Sequence, residues 1–178
     1  MKIVRKLLKE GKNKQEIFDK TTNEGFKQKK VAKCLARYPD PEEAEKYKKA
    51  NMVLVGLCVA LILLRVTTLA LLSAEFASVV VLAAAIPLVI VCVATYFIFK
   101  MQPSGYLILC YFLAISTFHS FNLIQSNPRS TLFAISMSVF LIIYAVVLKY
   151  KIFPYQNFGN TMKDSDGIPI YTKDLTNA

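Results

Sequence analysis

The chain has 178 residues, of which 54% are hydrophobic and 19% charged, and its formal net charge is +10. The charges are unevenly spread: residues 52–148 hold only Arg65, Glu75, Lys100 and Arg129 as formally charged side chains. That partition excludes an ordinary soluble core and points to the membrane class.

The first apolar stretch, residues 3–8, is interrupted by Arg5 and Lys6 and leads into charged sequence without a small-residue cleavage site, so a signal peptide is not expected. Residues 1–50 read as a basic cytoplasmic segment with two helical candidates, separated by Gly11 and by the polar run Thr21, Thr22, Asn23, Glu24 and Gly25. In the second candidate Phe26, Val31, Cys34, Leu35 and Tyr38 recur near helical spacing, among Lys27, Lys29, Lys30, Lys33 and Arg37. This is a basic amphipathic helix. Two readings of it stand: a helix lying on the anionic lipids of the inner leaflet, or a solvated basic face that enforces orientation. Nucleic acid is not expected as a partner.

Asp40, Pro41, Glu42 and Glu43 form a helix start, with Asp40 as N-cap, Pro41 at the first helical position and carboxylates at the positive end of the dipole. One helix is expected from Pro41 through the first span, because no breaker precedes Gly56. Residues 52–99 are too long for one crossing, since at about 1.5 Å per residue they would reach roughly 70 Å against a hydrocarbon core of about 30 Å. The polar break at Ser73, Glu75 and Ser78 divides them into spans at about 52–72 and 78–99. Lys100, Gln102, Pro103 and Gly105 supply turn signals before a third span at about 106–124, and Asn127, Pro128 and Arg129 before a fourth at about 131–148. The fold class expected is thus all-α: a polytopic bundle of four transmembrane helices over residues 51–149, followed by a short irregular cytoplasmic tail at 150–178.

Lys46, Lys48 and Lys49, then Lys100, then Lys149 and Lys151 fall on one side of these spans, against Arg129 on the other. The positive-inside rule puts both termini in the cytoplasm, and a bacterial inner membrane suits that arrangement. Arg65 is the one costly residue, at about 2.5 to 3.5 kcal/mol for a helix centre, which the Leu, Ile and Val around it outweigh. Gly56 and Ala60 are spaced for close helix packing and Pro87 for a tolerated kink. The tail residues Phe153, Tyr155 and Phe158 look like interfacial anchors. Asp164 to Gly167 reads as a plain turn, lacking the closing Glu of a calcium loop.

Spans one and three run the same way in this topology, so their late residues share the outer half of the bilayer. Arg65, Glu75, Ser116, His119, Ser120 and Asn122 then form a candidate polar cleft, with Ser116, His119 and Ser120 on one helix face. An Arg65–Glu75 pair is within reach by snorkelling. The competing reading is hydrogen bonding that glues the helices together. The spans hold no Asp or Glu for proton coupling, and the sequence has one His and no HExxH, GxSxG, CxxC or glycine-rich phosphate loop. No enzyme activity, cofactor or metal is expected. Cys34, Cys58, Cys92 and Cys110 read as packing residues. The expected function is that of a small membrane protein acting through contacts with another membrane protein, such as an accessory subunit or an immunity protein against a membrane-active toxin. The alternative is a subunit of an oligomeric channel or transporter, with Arg65 and His119 lining an outer-facing cleft.

Overall fold

The computed structural model describes residues 2–10, 12–39, 41–75, 78–121, 128–156, 161–163 and 169–171, with the side chains of residues 71–75, 78–84 and a few others left aside. Among the described residues the chain is all-helical, with seven helices and no strands: α1 (Lys2–Lys9), α2 (Lys14–Asn23), α3 (Gln28–Leu35), α4 (Pro41–Glu75), α5 (Ser78–Phe99), α6 (Pro103–Phe121) and α7 (Pro128–Ile152). It divides into two compact units, Met1–Glu45 with Tyr150–Ala178, and Lys46–Lys149.

The first unit holds three short helices where two were expected. Thr21, Thr22 and Asn23 are the last turn of α2, not a linker. The Thr21 and Thr22 hydroxyls donate to the carbonyls of Ile17 and Phe18 one turn back, a local bond that lets a threonine stay in a helix. Asn13 caps the start of α2 by accepting from the Gln15 amide. The helix ends where Gly25 takes φ +89°, with Gly25 N donating to Thr22 O and Phe26 N to Thr21 O. These are the two bonds of a Schellman cap, for which glycine is the least strained residue.

Val4, Leu7, Ile17, Val31, Ala32, Leu35 and Ala36 form the core of this unit, and Tyr171 of the tail completes it. The tail is tied in at further points. Lys14 is buried, its Nζ donating to the Tyr38 carbonyl at 2.8 Å and the Tyr171 carbonyl at 3.4 Å. Gln156 Nε2 donates to the Ala36 carbonyl at 3.0 Å, and the Tyr171 ring stacks on Phe18 with centroids 4.7 Å apart. Phe153 and Tyr155, expected at a lipid interface, are buried. Isolated bridges pair Gln156 with Thr161 and Lys163 with Pro169.

α4 starts at Pro41 and runs unbroken to Glu75, as the absence of a breaker leads one to expect. The N-cap assigned to Asp40 and the turn assigned to residues 164–167 lie outside the described residues. Pro87 sits inside α5 without ending it. Two helical stretches, Glu42–Thr67 and Pro128–Ile152, are long and apolar enough to cross a membrane, and Ala85–Phe99 and Pro103–Phe118 are shorter apolar helices.

In the second unit the buried positions repeat at helical spacing: Asn51, Leu54 and Cys58 on α4, Val91, Ala94, Thr95 and Ile98 on α5, Tyr106, Leu109, Cys110 and Leu113 on α6, Leu141, Ala145 and Leu148 on α7. The α5–α6 turn is another Schellman cap, with Met101 at φ 48°, Met101 N donating to Ile98 O and Gln102 N to Phe97 O. Immediately after it Gly105 lies against α5 so closely that a Cβ would stand 2.6 Å from Ile98 N and 2.9 Å from the Ala94 carbonyl. The close approach expected at Gly56 is absent, since a Cβ there would meet nothing within 4 Å.

Candidate functional site

Three places collect polar side chains, and they begin with the six residues singled out in the sequence. Arg65 is exposed on α4, and Ser116 and Ser120 are half-buried on α6. The Ser120 Oγ donates to the Ser116 carbonyl within its own helix at 2.9 Å, a bond that occupies the hydroxyl without joining helices. Nearby, Thr67 donates likewise to the Leu63 carbonyl, while the Thr117 hydroxyl is buried with no partner among the described residues. The side chains of Glu75 and His119, and Asn122 altogether, lie outside the described residues. Because α4 continues to Glu75, Arg65 and Glu75 stand ten residues apart on one helix, about 15 Å along the axis. The Arg65–Glu75 pair expected from snorkelling lies outside the described residues, because the Glu75 side chain does.

The polar groups that do join helices are at the other end of the same unit. Asn51 on α4 is buried, its Nδ2 donating to the Ile98 carbonyl on α5 at 3.0 Å and its Oδ1 accepting from the Tyr106 hydroxyl on α6 at 2.5 Å. One amide thus ties three helices. The fourth is joined by the Tyr144 hydroxyl of α7, which donates to the Ala50 carbonyl at 3.0 Å. Lys149, expected to end the last span on the cytoplasmic side, is fully enclosed within electrostatic reach of Cys110, and α7 goes on past it to Ile152. Asn51 and Tyr106 did not stand out in the sequence because each lies at the edge of an expected span, where a polar residue looks like a flank. The signal available was register: Asn51 precedes Leu54 and Cys58 at i, i+3 and i+7, which puts it on the packed stripe.

The third place is a shallow depression of about 310 Å³ on the first unit, lined among the described residues by Lys33 of α3 and by Thr161, Lys163 and Pro169 of the tail. α3 buries its apolar face, Val31, Ala32 and Leu35, in the unit's own core, and Lys27, Lys29, Lys30, Lys33 and Arg37 are left exposed. The helix therefore has basic side chains, not an apolar stripe, to offer a membrane surface. Burial pushes the Tyr171 phenol up to about 12, the Asp19 carboxylate adds to the shift, and the bond to Gln15 partly offsets it. Among the described residues no group of His, Cys, Asp and Glu could hold a metal ion.

Compared with protein-family models, with curated proteins and with solved structures, the chain matches none of them.

Proposed function

We propose that this is a four-span membrane protein with both ends on the cytoplasmic side, and that it works by packing against another membrane protein within the bilayer, as an accessory subunit or an immunity protein does. The observation that carries the contact reading is an uncovered face of α4. Gly56 and Ala60 lie on it, exposed, among Val53, Val59, Leu63 and Leu64, the last two more than 60% exposed. Small residues four apart on an apolar helix let a second backbone approach closely, and the chain leaves that approach unused.

Membrane insertion has wider support. Only 17% of the best apolar window in α4 and 22% of that in α7 is buried inside the protein, whereas the core helix of a soluble protein is mostly covered. Ile115, Phe118, Leu132 and Phe133 are likewise 55% to 77% exposed, an apolar surface that suits lipid and partner helices. The cytoplasmic placement of the ends rests on the lysines at the Asn51 end of the spans, and a bacterial inner membrane remains our reading of the compartment. Contact is favoured over conduction because the polar groups at that end are bonded to one another in place of lining an open path.

Reporter fusions after Glu75, Gln102, Ser126 and the C-terminus test the topology: cytoplasmic signals are expected at Gln102 and the C-terminus alone, and one at Ser126 overturns it. A photoreactive residue at Val59 tests the contact. It should crosslink to one discrete membrane protein, and Gly56→Leu should abolish that product. Ion flux through liposomes carrying the purified chain, lost on Arg65→Ala, would instead establish the channel reading.

A further inference from the structure

We propose that the depression between α3 and the tail is a binding site for a phosphate-bearing anion, held by Lys33 and Lys163 with the Thr161 hydroxyl. The lipid form of this proposal rests on the membrane reading above, since it needs the first unit to face an anionic leaflet.

Two lysines from segments far apart in sequence line one concavity together with Thr161, and no acidic side chain is among its described lining. Ammonium groups act as point charges toward phosphate, and a hydroxyl supplies the directional bond that such charges lack. At about 310 Å³ the space lies at the lower end of the range of small-ligand clefts, about 300 to 1,000 Å³. It admits one phosphorylated headgroup or a small phosphate ester, not a larger cofactor.

The surroundings favour the same charge. Residues 25–39 contain no Asp or Glu, and Lys27, Lys29, Lys30 and Arg37 stand exposed along them. Such a field concentrates anions over the whole face, while the depression adds a particular place for one of them to stop. The apolar side of α3 is committed to the core, so this face meets its ligand through charge and hydrogen bonds.

The test uses the full chain in nanodiscs of zwitterionic lipid, with and without a phosphatidylglycerol fraction, and in detergent with glycerol phosphate or inorganic phosphate as soluble probes. Lys33→Gln and Lys163→Gln should each weaken binding about fivefold, the value of roughly one basic contact at an anionic surface. Thr161→Val should weaken it without any change in charge. Lys29→Gln and Lys30→Gln are the comparison, removing equal charge outside the depression, and circular dichroism checks that all variants fold. Retention of phosphatidylglycerol alone, lost in the depression variants, identifies a headgroup site. Binding of the soluble probes, lost in the same variants, identifies a phosphate-ester site. Equal losses from Lys29→Gln and Lys33→Gln, or no binding of any probe, overturn the proposal. Extraction of the chain by alkaline carbonate would overturn the membrane reading while leaving the soluble-probe result to stand or fall independently.

Discussion

At the residue scale the second unit is held by an amide. Asn51 satisfies one donor and one acceptor across α5 and α6 with little of its surface left open, so a replacement that keeps its size strands both partners. Asn51→Leu is expected to destabilise the unit by about 1 to 2 kcal/mol, the upper part of the range for a hydrogen bond between helices in a bilayer. Tyr106→Phe, which leaves the amide bonded to Ile98, should cost less. Thermal melts in detergent would order the two. In the first unit the residue to titrate is Tyr171. Its phenol is held neutral up to about 12, whereas the unfolded phenol ionises near its ordinary value of 10. The folded state therefore keeps a proton that the unfolded state has lost, and the contribution of Tyr171 to stability is level below pH 10 and falls as pH rises from 10 to about 12. Tyrosinate absorbance should show a late-ionising contribution that Tyr171→Phe lowers by one tyrosine, and the same variant should flatten the alkaline loss of helicity.

At the element scale, the α5–α6 hairpin has one strained residue and one indispensable one. Met101 carries a positive φ that glycine adopts freely, so Met101→Gly is expected to raise stability by about 0.5 to 1 kcal/mol. Gly105 is the reverse case, because a single methyl group there collides with backbone atoms of α5. Gly105→Ala should force the helices apart and lower the melting temperature even though alanine is the better helix former. The long apolar helices were legible because they are runs of apolar residues between turn signals, and the helix from Pro41 onward because nothing interrupts it. What could not be read was which small residue matters. Gly56 and Gly105 have the same side chain, and only the packing shows that one touches a helix and the other an open face. The extent of α2 was misjudged for a related reason: threonines that look like linker can bond back into their own turn.

At the scale of the whole molecule, the feature hidden from the sequence was the union of the two chain ends. The tail reads as irregular because Tyr171 and Gln156 have no periodic neighbours, and their partners Phe18, Lys14, Gln15 and Ala36 lie far away in the sequence. The Asn51 tie was hidden for a similar reason, as polar residues in the middle of an apolar run draw attention while Asn51 at its edge does not. The united ends make a unit with few buried side chains, and a single core of that class supplies no more than about 3 to 5 kcal/mol in total. Removing an aromatic side chain from such a core costs about as much, roughly 3 kcal/mol or more. Tyr171→Ala should therefore unfold the first unit outright, not merely weaken it, because the stacking on Phe18, the bond to Gln15 and the ring's place in the core are lost together. The second unit has its own core and its own Asn51 tie, so it should stay folded and, on the proposed membrane reading, in the bilayer. Limited proteolysis of inside-out vesicles would show this as new cleavage within residues 14–38, with the fragment containing residues 46–149 still protected; protection of both regions would mean that the tail is dispensable to the first unit.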